Sequence, residues 1–283
     1  KGLRERYEFF SRPAREWFNL GLELSRESGE GEKTPIPIGE FKGAITKMKG
    51  KLISPTEAYH DPEYDDAQAA VYAAYEWLKG PYGEADFQNH GDFDDVLIDM
   101  SKMMLRDPKS RKRIQSRFRV LLIDEAQDLN RAQHLMFGLM AGFIDPDKVD
   151  QAASVDNIMD LANDDGSMTA DTFCFIGDDK QAIYEFRGAD PEAFIGLSDL
   201  VEGGAGFETH VLETNFRSGK LIVEAANRLM GYNTRQIPMV CNANPDRADE
   251  GGIKAISFPP TEGSDFSEAA SWVADHIQEQ MEL

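Results

Sequence analysis

Cysteine is almost missing from this chain: its 283 residues hold two, Cys174 and Cys241. Two thiols outside any metal-like spacing exclude a disulfide framework or zinc module, so a reducing, cytoplasmic setting is expected. No apolar run approaches the length of a membrane span, and the opening KGLRERYEFF is charged with no small-residue cleavage site. Neither a transmembrane helix nor a signal peptide is therefore expected. Basic side chains are scarce, 30 against 51 acidic, for a net charge of −21. As a bulk property, that balance argues against a nucleic-acid binder. The five histidines (His60, His90, His134, His210, His276) are scattered and match no metal spacing. There is no internal repeat and no low-complexity tract. What is present is an ordinary globular composition, 41% hydrophobic and 10% aromatic, sufficient for one large or two modest domains.

The average charge conceals two opposed runs. Residues 102–119 carry eight basic side chains and one acid, whereas 145–171 carry eight aspartates and one lysine. Both read most simply as solvated faces or loops, although a few arginines and aromatics can line a working groove on an acidic body.

The first hundred residues pattern as helices. Apolar residues recur at helical spacing over 3–25 until the breaker SGEGEKTPIP. A second helix is expected near 40–49, and a third opens on Ser54-Pro55 with Glu57 in capping position. Others follow over 64–79 and 92–105, then a basic one near 109–117. From 118 strands alternate with helices. FRVLLID (118–124) reads as a fully buried strand and 131–142 as a helix. The acidic stretch 145–171 reads as a loop or partly helical insertion. DTFCFIG (171–177) reads as a second buried strand before a helix over 191–200. THVLE (209–213) reads as a third strand before a helix over 220–230. IKAISF (253–258) and a helix from Ser267 make one more β-α unit. Alternation of this kind predicts an α/β fold, a parallel sheet with helices on both faces.

Chemistry concentrates where three of these strands end, the edge at which open α/β sheets bind ligands. In LLIDEAQD, Asp124 and Glu125 emerge together. One carboxylate can hold Mg²⁺ while its neighbour orients and deprotonates a water; the alternative is a solvated acidic turn in which Asp128 caps the next helix. In FIGDDKQAIYEFRGAD, Gly177 allows a tight exit, followed by Asp178 and Gln181, an amide suited to sensing a terminal phosphate. Tyr184, Phe186 and Arg187 combine two aromatic faces with a cation, the mixture used for sequence-tolerant stacking on single-stranded bases. Core aromatics and a surface ion pair are the plainer reading. In LETNFRS, Arg217 could face a γ-phosphate and Phe216 could stack on a base, or Arg217 could simply be exposed.

Taken together and in this order, the patterns DExQD, GDxxQxIYxFRGAD and Glu-x-x-(aromatic)-Arg-Ser resemble the UvrD/Rep family of superfamily-one DNA helicases. ITKMKGKLISP (45–55) and GDFDDVL (91–97) resemble the helical insertion of that family's first motor domain and the segment returning from it. The similarity runs from about residue 40 to the end. It implies a RecA-like, P-loop NTPase fold behind a mostly α-helical N-terminal subdomain. Residues 1–88 would be the helical insertion, 89–208 the end of the first RecA-like domain, and 209–283 the start of the second. By position, the resemblance assigns Asp124 to Mg²⁺, Glu125 to the general base, and Gln181 to the γ-phosphate and attacking water. It assigns Arg217 to the γ-phosphate from the second domain, Phe216 to adenine, and Asp178 to the nucleotide site. Tyr184, Phe186 and Arg187 would line the single-strand track. Many members carry tryptophan at the position of Phe186 and tyrosine at that of Phe216, and both changes keep a stacking face. The implied function is ATP-dependent translocation on single-stranded DNA and its junctions with duplex, with 3′-to-5′ polarity.

One departure bears on activity. No G-x-x-x-x-G-K-[S/T] occurs in the sequence; in GEGEKT (29–34) Glu32 separates Gly31 from Lys33, and SGKL (218–221) lacks both the upstream glycine and the Ser/Thr. That removes the backbone cradle, the lysine and the hydroxyl ligand that such a loop supplies. The chain therefore reads as an internal fragment, incomplete at both ends and inactive alone. The motor part of a helicase–nuclease and a non-catalytic DNA-binding derivative are the alternatives. The length of the acidic stretch 145–171 has no counterpart in the resemblance.

Overall fold

A computed structural model describes residues 38–79, 91–151, 158–202, 208–247, 250, 252–253 and 267–281. The helix expected over 3–25 lies outside these residues, as does nearly all of the strand expected over 253–258. Two compact units are formed, Lys1–His210 with Arg235–Ile237, and Val211–Thr234 with Pro238–Leu283.

The first unit begins with helices α1 (Ile38–Gly50), α2 (Pro55–His60), α3 (Asp66–Lys79), α4 (Phe93–Arg106) and α5 (Pro108–Gln115). Their starts are written in short polar motifs. The Ser54 hydroxyl accepts the Glu57 amide while the Glu57 carboxylate accepts the Ser54 amide at 2.8 Å, a reciprocal capping box. Asp92 and Asp95 repeat the device at α4. Asp107 then ends α4 and caps α5, with Pro108 at the first helical position, where its missing N–H costs nothing. Met48, Ala58, Tyr64, Ala69 and Tyr72 form a small core among α1, α2 and α3.

Strand β1 (Val120–Ile123) pairs in parallel with β2 (Thr172–Phe175), Val120 opposite Thr172 and Ile123 opposite Phe175. Between them lie α6 (Arg131–Ala141) and α7 (Pro146–Gln151), and after them α8 (Pro191–Glu202). Leu121 and Phe173 enter the main core with Met104, Leu135, Leu139 and Phe143. The expectation of fully buried strands fails. Val120 is 57% and Leu122 62% exposed, and in β2 Phe173 is the buried residue. Leu121, Ile123, Phe173 and Phe175 face the main core while Val120 and Leu122 on the other face of β1 stay exposed; a strand is buried throughout only when both faces are covered.

The acidic stretch is more built than a loop. Besides α7 it contains a 3₁₀ turn, Ile158–Leu161, and Ile144 bridges to Ala162. Met159, Leu161, Ala162 and Ala170 are buried in the main core. Lys148 ties the segment down through the Ala162 carbonyl at 2.7 Å and Asp164 at 2.6 Å. Apolar side chains interleaved with the aspartates therefore anchor the segment, while Asp147, Asp160, Asp164 and Asp165 are exposed.

In the second unit a short strand β3 (Thr214–Asn215) pairs in parallel with β4 (Asn242–Ala243). Helices α9 (Lys220–Met230) and α10 (Ser267–Met281) accompany them. The strand expected over 209–213 is displaced to 214–215, and Leu212 is 85% exposed. β-branched residues do not make a strand without a ladder partner, and the partner available here meets the chain two residues later. Among the described residues no helix is long and apolar enough to cross a membrane. The architecture is thus a mixed helix–strand fold with small parallel sheets.

Candidate functional site

The end of β1 delivers Asp124 and Glu125, both exposed. The Asp124 carboxylate accepts the Glu125 amide through Oδ1 at 2.9 Å. Glu125 adopts φ 50° and ψ 43°, the left-handed region that costs a residue with a Cβ about 1–2 kcal/mol. Its carboxylate accepts a hydrogen bond from Gln127 Nε2 at 2.9 Å. Gln127 is 1% exposed, and its Oε1 accepts the Asp178 amide at 3.1 Å. One buried amide thus joins the acidic exit of β1 to the exit of β2. Gly177 makes room for it, since a Cβ there would lie 2.5 Å from Gln127 Oε1 and 3.2 Å from the Ala126 nitrogen. The role expected of Asp128 as a helix cap falls to Asn130, which forms a capping box with Gln133. Asp128 sits in the intervening 3₁₀ turn, its carboxyl held above the usual range by burial and by the neighbouring Glu125 charge.

The β2 exit sorts its polar residues. Asp179 and Lys180 turn inward, the Asp179 carboxylate accepting the Ile237 amide and Lys180 donating to the Ile237 carbonyl at 2.7 Å. Asp178 accepts from the Lys180 amide and, at 2.9 Å, from Gln181 Nε2. Gln181 itself is exposed. Beyond it a 3₁₀ turn, Glu185–Arg187, ends on Gly188 at φ 90°. That left-handed conformation favours glycine, and a Cβ there would also come within 3.3 Å of the Lys47 Cα. The turn therefore rests on α1. The Arg187 guanidinium lies 5.1 Å from the Tyr184 ring and 5.4 Å from the Phe186 ring, within cation–π range. Phe186 is 66% exposed. Phe186 is thus no core aromatic, whereas Tyr184 is half-buried.

Phe216 and Arg217 belong to the second unit. The Asn215 side chain shapes their turn by accepting the Arg217 amide at 3.0 Å and the Ser218 amide at 2.8 Å. Both Phe216 and Arg217 are exposed, the ring by 71%.

Sequence reasoning passed over two features of the first unit. Gln127 is one; it stands inside the DEAQD motif, and an amide in so apolar a neighbourhood requires partners. The other is a buried ion network. Lys49, 1% exposed, contacts Asp92 at 2.6 Å and Glu76 at 3.4 Å, and Lys79 contacts Glu76 at 2.7 Å and Asp95 at 2.6 Å. Tyr75 donates to Asp92 at 2.7 Å. Burial works to raise the Asp92 carboxyl, but the hydrogen bonds from Lys49 and Tyr75 hold it well below the usual range. Glu76, Asp92 and Asp95 have the spacing of a cation site, yet the Lys49 and Lys79 ammonium groups already pair with all three. The donor set at the β1 exit is different: Asp124 carries one hydrogen bond and is exposed. A single open carboxylate suits Mg²⁺, which takes one or two carboxylates and completes its shell with water and phosphate oxygens.

Relatives include proteins named ATP-dependent DNA helicase PcrA from Staphylococcus epidermidis and Staphylococcus aureus. The first is 28% identical over 199 residues and the second 28% over 201, each alignment covering 70% of this chain and 23% of the relative. The chain thus spans less than a quarter of the length of these relatives. Residues 11–202 match the UvrD/REP helicase N-terminal domain, and with that match the chain belongs to the UvrD/REP helicase family.

Proposed function

We propose that this chain is the central part of an ATP-driven motor that moves along single-stranded DNA, its two units belonging to two RecA-like halves. The observation that carries the proposal is the Gln127 bridge. It ties Glu125 to the loop that bears, a few residues on, the half-buried Tyr184 and the exposed Phe186 and Arg187. A change at the hydrolytic carboxylate can reach a base-stacking surface through one buried side chain and one short loop.

In this reading Glu125 accepts the proton of the attacking water, and Gln127 holds its carboxylate in place. Asp124 offers the oxygen ligand for Mg²⁺, which when bound neutralises charge on the transferring phosphoryl group. Gln181, already a donor to Asp178, is placed to trade that bond for one to the terminal phosphate or to water. Asp178 keeps the loop tight. Arg217 supplies positive charge from the other half, and Phe216 a face for adenine. Tyr184, Phe186 and Arg187 stack on bases without selecting among them. Single strands and their junctions with duplex are the substrates, and movement runs 3′ to 5′. The phosphate cradle missing from these residues comes from sequence outside them, so the chain alone is expected to lack ATP turnover.

The test is made in the full reading frame. Glu125→Gln should lower ATP turnover by about 10²- to 10⁴-fold, the usual contribution of a general base, while nucleotide binding persists. Phe186→Ala should remove stimulation by single-stranded DNA and leave unstimulated turnover. Full turnover in the Glu125 variant would overturn the assignment of the base.

A further inference from the structure

Among the described residues, many cations of the first unit are matched to acids, as Lys51 is to Glu63, Arg119 to Asp171, Arg131 to Asp190 and Lys148 to Asp164. In a chain of net charge −21 that is the expected fate of a lysine or arginine. Helix α5 and its flanks depart from it. Arg106, Lys109, Lys112, Arg113 and Arg117 are all exposed, and among the described residues none of the five enters an ion pair.

The local structure explains how they come to stand free. The helix is pinned by its other side chains: Arg111 donates to the Met104 carbonyl at 2.7 Å and Gln115 to the Leu139 carbonyl at 2.9 Å. Ile114 packs on the main core. The one acid of the run, Asp107, is occupied by the Lys109 amide and the Ser110 hydroxyl. At 3.6 residues per turn, Lys109, Lys112 and Arg113 fall within about 100° of one another on the remaining face. They form a rigidly mounted stripe of positive charge on an acidic body.

We infer that the stripe Lys109, Lys112 and Arg113, flanked by Arg106 and Arg117, is a docking surface for the phosphate backbone of a nucleic-acid duplex. The choice of nucleic acid as the polyanion rests on the proposed function. The choice of duplex rests on chemistry: single strands are held by stacking platforms, and the helical stripe Lys109, Lys112 and Arg113 has no aromatic within its helix, Phe118 lying beyond the helix end. A duplex hides its bases and presents about one charge per 1.7 Å of axis, which is what such a stripe can use.

The test measures binding of the 283-residue chain to a blunt DNA duplex and to an oligo(dT) strand over a range of salt. Replacing Lys109, Lys112 and Arg113 together by Gln should weaken duplex binding tenfold or more at low salt. It should also lower the salt slope on duplex by about 2.7, three contacts at about 0.9 each. Oligo(dT) affinity should stay within about twofold, and Lys109→Arg, Lys112→Arg, Arg113→Lys should restore duplex binding. An unchanged duplex affinity and slope overturns the inference, as does an equal loss on a polyglutamate competitor, which would mark a surface for acidic protein. The single-strand reading fails separately, if oligo(dT) binding survives Phe186→Ala.

Discussion

Glu125 occupies left-handed backbone next to the acid it is proposed to work beside. A strained conformation persists when its surroundings over-determine it, and here the surroundings are Gln127 on the side chain and the Ala126 amide held by the Ile176 carbonyl. Glycine pays no penalty in that region whereas alanine does. Glu125→Gly is therefore expected to be about 1 kcal/mol more stable than Glu125→Ala in urea unfolding, with equal stabilities refuting the strain. His134 offers a second residue-scale test. It is buried, neither ring nitrogen has a hydrogen-bond partner, and burial pushes its pKa down to about 4. The unfolded imidazole, near its ordinary 6.5, takes up a proton that the folded one refuses. Its contribution to stability is thus intact above that value and declines as pH falls toward the folded pKa. The native chain should lose about 2 kcal/mol more than His134→Leu between pH 7 and pH 5, compared by urea titration. At neutral pH the leucine variant should match or exceed the native chain, because it removes unsatisfied buried nitrogens.

At the scale of elements, the helices of the first unit are joined by charge as much as by apolar contact. Lys49 at the end of α1 meets Asp92 and Asp95 at the start of α4, and Lys79 at the end of α3 meets the same carboxylates. Those acids also cap α4, so the network fixes where that helix begins. Removing one partner of a buried pair leaves uncompensated charge, and Lys49→Met should destabilise the chain by about 3–5 kcal/mol in chemical denaturation. The acid side of the network has the opposite pH sense from an amine raised by its partners. Since the Asp92 and Asp95 carboxyls are held low, their stabilisation is present above the ordinary carboxylate range and is lost as pH falls through and below it. Native-level stability in Lys49→Met would show that this network does not hold the helices together.

At the scale of the whole molecule, a net charge of −21 acts on every surface at once. Self-repulsion is screened by salt over a Debye length of about 10 Å at 0.1 M, so the melting temperature should rise as sodium chloride is added from low concentration. A falling melting temperature would mean that attractive pairs, such as those around Lys49, outweigh the repulsion. The same body charge explains why cations left unpaired on α5 stand out: acids are abundant enough to have satisfied them.

Much of this molecule follows from short-range chemistry in the chain itself. Ser54 with Glu57, Pro108 after Asp107, and the apolar period of α9 involve residues within a turn or two, so a single stretch of sequence decides them. The exits of β1 and β2, which bear Asp124 and Gln181, were legible for the same reason: a hydrophobic run that ends in polar groups is a local pattern. Other features needed the chain folded. Lys49 finds Asp92 across 43 residues and Gln127 finds Asp178 across 51, and no spacing rule joins such distant positions. Strand burial was misjudged on the same ground. Val120 and Leu122 are as apolar as Leu121, but only the packed helices decide which face of a pleated strand is covered, because burial belongs to neighbours and not to the residue.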